Sequence, residues 1–330
     1  MFDDHLHERM ETSRREFLNR LDKPQLKRLI ADCRRINGRW ARLSTNTLIR
    51  WLFNTTFHKK SIPTNPSPVF CRWAIRSGCP HALKELHDQS KEECLFAVGM
   101  DGLMLEFVRD QDEDICLVAV THTGLALQFV KHQTEAIQWA AINQNAEALR
   151  YAENPSIELQ NAAIDLSGLV LRHIKNPTPD QCLRAVKRSG LALADVDKNK
   201  QTPELCEVAV RQHGMAIKFV AEPTAELERI AAVNGGIEFV HQTKELCQMA
   251  IWHNPYSLRH VSPKFQTEKL CRLAMERAAA KRYILRYITS EPLREKLAAE
   301  FNLLHVLEEF RFTAQHNTKA CARYRQSEAK

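Results

Sequence analysis

No stretch of this chain approaches the 18 uncharged apolar residues that would mark a bilayer-spanning helix. The start, MFDDHLHERMETSRREF, is acidic and basic by turns and has no apolar run of the kind a secretory signal carries. These two absences predict a protein with no transmembrane segment, placed in the cytoplasm of the producing cell or, if delivered as an effector, of a host cell. The patterns G-x-x-x-x-G-K-S/T, G-x-G-x-x-G, G-x-S-x-G and H-E-x-x-H are also missing, so no phosphate loop, dinucleotide fingerprint, nucleophile elbow or zinc-protease helix is written here. Ten cysteines in 330 residues do not read as a disulfide framework, because such frameworks belong to short secreted chains with small cores.

What is present is a balanced soluble composition, 44% hydrophobic and 26% charged, with length for about two ordinary domains. The charge is uneven. Residues 1–66 carry a net +7, residues 67–292 a net −2 and residues 293–330 a net +2.

The middle of the chain repeats. With Cys206 as the reference position, an alanine follows three residues later at Ala209, and the same relation recurs at Ala74, Ala97, Ala119, Ala140, Ala163, Ala185, Ala231, Ala250 and Ala274. The ten units stand 19 to 24 residues apart, and the position after each alanine is always apolar. Gly102, Gly124, Gly168, Gly190, Gly214 and Gly236 fall eight residues after the reference position, with Asn145 and Pro255 in that place in two other units. Four residues before it stand Ser67, Ser90, Asp112, Ser156, Thr178, Thr202, Thr224, Thr243 and Thr267, with Thr134 one place out of step.

Serine, threonine and aspartate accept hydrogen bonds from the free N–H groups of a first helical turn, and Pro68, Pro179 and Pro203 follow where proline's missing N–H costs nothing. Each unit is therefore expected to open with a capped helix that ends at a glycine adopting positive φ. After the glycine, stretches such as LALQFV (125–130) and MAIKFV (215–220) favour a short second helix over a strand. Units this small cannot bury an apolar face alone and must stack.

Seven cysteines, Cys71, Cys94, Cys116, Cys182, Cys206, Cys247 and Cys271, share the reference position, which Ile137, Gln160 and Glu228 fill elsewhere. That position lies on the face of the conserved alanine, where a free cysteine packs as a small hydrophobe. Equivalent thiols one repeat apart, at roughly 9–10 Å, neither converge on a metal nor reach a disulfide. No metal and no cofactor is expected. His173, His241 and His260 take the second-helix place of Phe107, Phe129 and Phe219 and read as partly buried rings; His5 and His7 fall in a terminus expected to be mobile.

Two surfaces are candidates for binding. In PQLKRLIADCRRI (24–36), capped by Asp22 and ended by Gly38, an apolar stripe faces away from Lys27, Arg28, Arg34 and Arg35. A following helix, about 39–53, brings Arg39, Arg42 and Arg50 beside Trp40, Trp51 and Phe53. Basic residues with aromatics can hold nucleic acid, but the same helices also read as a cap over the first repeat with a solvated cationic surface, and an acidic protein or membrane surface is open too. The second surface is a row near the ends of the first helices: Arg76, His122, Lys187, Arg188, Arg211, His213, His253 and Arg277, interrupted by Asp101 and Asp165. Cations there also offset the helix dipole.

The pattern C-x-x-A-V-x-x-x-G-x-A-L-x-F-V, with T-x-E-L between units, resembles the short tandem helical repeats of a domain-of-unknown-function family in bacterial, phage and effector proteins. It is similar also to the leucine-rich variant repeats, which alternate α- and 3₁₀-helices. The likeness covers about residues 67–290, and neither family carries an active site to transfer. The expectation is an all-α, right-handed α-solenoid of about ten two-helix repeats of about 22 residues, with a basic cap at 1–66, repeats at 67–290, and a capping helix near 291–311 before a mobile tail. It is expected to be a non-enzymatic scaffold that binds a protein partner along the repeat surface, or alternatively nucleic acid through the N-terminal basic helices. No oligomeric state is written in the sequence.

Overall fold

In the computed structural model the described residues are 2–36, 52, 62 and 65–309, and they are helical with no strand among them. They fall into two compact units, residues 1–175 and 176–330. The helix expected at 39–53, the stop at Gly38 and the tail after 312 lie outside the described residues.

The first unit opens with α1 (Phe2–Arg20) and α2 (Lys23–Ile36), both packed on α3 (Pro68–Arg76). The segment holding His5 and His7 belongs to α1. Asp22 starts α2 as expected, its carboxylate accepting from the Gln25 N–H at 2.7 Å. Four further helices follow: α4 (Lys91–Met100), α5 (Glu113–His122), α6 (Glu135–Gln144) and α7 (Ile157–Leu166). The second unit holds α8 (Pro179–Arg188), α9 (Pro203–Gln212), α10 (Ala225–Val233), α11 (Lys244–His253), α12 (Glu268–Arg277), α13 (Lys281–Tyr287) and α14 (Glu291–Glu300). Within each unit, consecutive helices of α3–α7 and of α8–α12 pack side by side.

Every helix from α3 to α12 begins at the expected cap, and each cap side chain accepts from the backbone three residues on, as Thr202 does from Leu205 at 3.2 Å. Thr134 is in step after all. The helix it starts, α6, returns its C-terminal N–H to Ala141, so Gln138 rather than Ile137 fills the reference position there, with Ala146 in the glycine place.

The second element of most units is a 3₁₀-helix of six residues, such as Gly102–Phe107, Gly124–Phe129 and Gly214–Phe219. Its third and fourth residues, Ala126 and Leu127 for example, are buried against the α-helices. Two units differ. One is shortened to Ile237–Phe239 after Gly235 turns at φ 88°, and the last carries α13 in place of a 3₁₀-helix. In the shortened unit Phe239 ends the segment, and His241 stands two residues beyond it, exposed.

The in-phase glycines do not stop helices by adopting positive φ, which only Gly78 and Gly235 do among the described glycines. Except before Gly236, where Gly235 turns at positive φ, the residue before each one leaves the helix in extended backbone, as Thr123 does at φ −142°. At Gly102, Gly124, Gly190 and Gly214 the glycine answers a close approach instead, while Ala146 and Pro255 stand in that place in two other units. A Cβ on Gly124 would stand 2.4 Å from the Ala141 carbonyl oxygen of the next helix, and one on Gly190 would stand 2.4 Å from that of Ala209. The conserved alanine and the conserved glycine are thus two sides of one contact between successive repeats.

A second link between repeats was not anticipated. Gln111, just before the Asp112 cap, donates through Nε2 to the carbonyls of Leu105 (3.3 Å) and Phe129 (2.9 Å) and accepts from the Lys131 N–H at 3.0 Å. Gln89, Gln133, Gln201, Gln242 and Gln266 bond to carbonyls of two successive second elements in the same way. Each side chain therefore ties one second element to the next and satisfies backbone groups that neither element satisfies by itself. Proline takes this place at Pro66, Pro155, Pro177 and Pro223, and before the first three Asn65, Asn154 and Asn176 turn at φ 55°, 48° and 53°.

The expected helix near 291–311 is two pieces. Glu291–Glu300 ends at a turn in which Asn302 has φ 59° and the Leu303 N–H returns to the Ala298 carbonyl at 2.7 Å; residues 304–309 are helical again. Asparagine tolerates the left-handed region better than most residues, and the turn lets Val306 and Leu307 be buried.

Candidate functional site

The reference-position thiols are all buried and in no disulfide, and Cys33 and Cys79 are buried too. Burial is the largest cause of the raised pKa of the reference-position thiols: that of Cys71 is pushed up to about 12, and those of Cys94, Cys247 and Cys271 to about 11. A thiol held protonated is a poor nucleophile. Cys94, Cys116 and Cys206 instead point their Sγ at the ladder glutamines, with Sγ to Oε1 distances of 3.8, 3.9 and 3.8 Å. Where Gln138 replaces cysteine, its amide donates to Gln133 at 3.1 Å and to the Glu153 carbonyl at 2.8 Å. Among the described residues no three His, Cys, Asp or Glu side chains gather as metal ligands would.

The N-terminal basic set is divided by the structure. Lys27, Arg28 and Arg35 are exposed on α2, whereas Arg34 is half-buried. Arg35 bonds Asp32, which is only 2% exposed and also accepts from the Ser67 hydroxyl and, at 3.0 Å, from the Ser67 N–H. Ser67 in turn caps α3, so Arg35 belongs to the latch that joins α2 to α3.

The row at the helix ends is divided too. Arg76 is buried, lies 5.0 Å over the Phe17 ring and, with Arg72, pairs with buried Glu93. His122 is exposed, and its Nδ1 accepts from the Gly102 N–H at 3.3 Å. Arg211 is exposed and pairs with Glu207 at 2.7 Å. His213 is half-buried, its Nδ1 buried without a hydrogen-bond partner. Lys187, Arg188 and His253 are exposed. Arg277 stacks its guanidinium 4.0 Å from the centre of the Trp252 ring. Two of the ring-position histidines pair across successive second elements: His173 with Glu147 and His260 with Glu238, each at 3.0 Å.

The face of each α-helix opposite its buried stripe is the surface left for function. In α4–α7 its middle and C-terminal positions are nearly uncharged, with half-buried Leu95, Phe96 and Met100 on α4, half-buried Leu117 and exposed Val118 on α5, half-buried Trp139 and Ala140 on α6, and half-buried Ala162 and exposed Leu166 on α7, while Lys91, Glu92, Glu113, Asp114, Glu135 and Glu158 are charged and exposed in the first turns. Asp165 is the one formal charge at the middle and C-terminal positions. Val118 is 37% and Leu166 47% exposed. In α8–α12 the same positions carry nine formal charges, seven of them basic: Arg184, Lys187, Arg188, Arg211, Arg229, Arg272 and Arg277, against Glu207 and Glu276. Sequence reading by unit found the basic row but missed the apolar face, because half-exposed leucine and valine look like core until the buried stripe is fixed.

No helix of the described residues is long and apolar enough to cross a membrane. Compared with known proteins, the chain matches no family model, no curated protein and no solved structure.

Proposed function

We propose that this chain is a non-enzymatic interaction protein, a right-handed α-solenoid of the bacterial and phage short-repeat kind, that binds a partner protein along its exposed helix faces. The observation that carries the reading is the row of half-buried and exposed apolar side chains at the middle and C-terminal positions of α4–α7. Apolar side chains left partly in water on neighbouring helices are typical of protein-binding surfaces. The chemistry-bearing side chains fit a scaffold role: the thiols are buried, and the ladder glutamines and His122 are spent on backbone groups. Nucleic acid binding through α2 is the weaker reading, since Arg35 is committed to Asp32 and Arg34 is half-buried.

Affinity purification from the producing cell with mass spectrometry, run in parallel on the wild-type protein and a Val118→Lys, Leu166→Lys variant, tests this. Both positions are exposed, so the fold is retained. A partner recovered by the wild type and lost with the variant supports the reading. Equal recovery by both, or retention of the wild type on heparin through Lys27 and Arg28 with no protein partner, overturns it.

A further inference from the structure

A groove of about 400 Å³ runs between α11 and α12. Trp252, Phe265, Leu270 and Leu273 form its apolar lining, and Lys244, Lys269, Arg272 and Glu276 are its charged residues. Trp252 is 53% exposed, the ring held by Arg277 against one side.

The two lysines are out of place for stability. Lys244 is the first residue of α11 and Lys269 the second of α12, so both stand at the positive ends of helix dipoles, where a cation is disfavoured. Elsewhere in α3–α10 the one first-turn cation is Lys91, which is neutralised by Asp112 at 2.8 Å and Asp114 at 2.5 Å. Neither Lys244 nor Lys269 has an ion pair among the described residues. Glu268 beside them is already held by Lys296 (2.8 Å) and Arg272 (3.0 Å), and Arg272 is shared with Glu300 (2.9 Å). The groove thus has an unneutralised cationic end and an apolar middle. Glu276 marks the opposite end, seven residues along α12 from Lys269 and so about 10 Å away.

We propose that this groove docks an acidic, amphipathic peptide segment of a partner protein. Carboxylates of the segment meet Lys244 and Lys269, and an aromatic or branched apolar side chain lies against Trp252, Phe265 and Leu273. A tryptophan beside an arginine within an apolar pocket has the composition of an interface hot spot. A nucleic acid strand fits less well, because it presents phosphates along its whole length and Glu276 repels them at one end, while only Trp252 is an exposed stacking ring in the lining. The inference shares with the reading above only that the partner is a protein.

The test uses the full chain and a fluorescein-labelled peptide, Asp-Glu-Leu-Phe-Asp-Glu, followed by anisotropy, with its lysine-for-acid counterpart and an oligothymidylate as controls. The acidic peptide is expected to bind saturably and to lose about tenfold in affinity with either Trp252→Ala or Lys269→Glu. Val118→Lys, Leu166→Lys leaves this binding intact, so failure of the apolar-face reading and failure of the groove are read separately. Far-UV circular dichroism and the thermal midpoint confirm that the variants are folded; both changed residues are exposed. No saturable binding, equal affinity for wild type and both variants, or tighter binding of the oligothymidylate overturns the proposal.

Discussion

Helices α4–α7 of the first unit and α8–α12 of the second share one internal plan and present opposite exteriors. In both, a serine, threonine or aspartate caps each helix, an alanine meets a glycine across the repeat, and a glutamine joins successive second elements. On the outside, at the last two positions of each helix, the first set shows Thr121, Asn143 and Leu166 where the second shows Lys187, Arg211 and Arg188. The lesson concerns the cations. Helices of the same length in the first unit end in Met100, Gln144 or Leu166, so the fold does not need a basic residue to offset the dipole. A basic residue at those helix ends is therefore not a requirement of the fold.

The shared plan can be broken most severely at the glycines. Gly124→Ala in the first unit and Gly190→Ala in the second are each expected to cost about 3 kcal/mol, because the new Cβ meets backbone and a repeat must move. Equal losses in urea unfolding would show one frame; a loss in only one unit would show that the two are built differently. Next come the glutamines. Gln111→Leu leaves the Phe129 carbonyl and the Lys131 N–H without their side-chain partner, and Gln201→Leu does the same to the Phe219 carbonyl and the Ala221 N–H, for about 2 kcal/mol each by the same measurement.

The thiols give a pH dependence common to both units. Each reference-position thiol has a folded pKa raised above the ordinary value of 9.0, so the folded chain holds its protons more tightly than the unfolded one. Stability is therefore unaffected below about pH 9 and declines as pH rises toward 11–12, a trend that urea midpoints across that range would display. Replacing Cys71 and Cys271 by alanine should flatten the decline. The smallest effect is expected at the exteriors. Val118→Lys and Arg188→Leu, which exchange the characters of the two faces, should each move stability by less than about 0.5 kcal/mol while altering partner recovery.

Caps, breakers and the recurring alanine were legible because each has a local cause. Thr202, Pro203 and Gly214 act on their immediate neighbours, and period alone places them. Three features were not legible for a physical reason of another kind. The glutamine ladder joins residues 18 to 20 positions apart, and Gln111 looks like any polar residue before a cap until its two carbonyls are in place. The role of glycine was misread as a turn, since a left-handed φ and a close backbone approach demand the same residue. Arg34, Arg35 and Arg76 looked like surface charge, and only the packing of α1 and α2 on α3 buries or engages them.

The sequence by itself determined the number, spacing and capping of the repeats and the inward place of the cysteines, because helix propensity, caps and periodic burial act within one unit. Only the tertiary structure decided that the second elements are 3₁₀-helices, which carbonyls the glutamines reach, and which outward residues stand together as an apolar face or a cationic groove. Those properties belong to contacts between units, where side chains distant in sequence meet and compete for the same backbone groups.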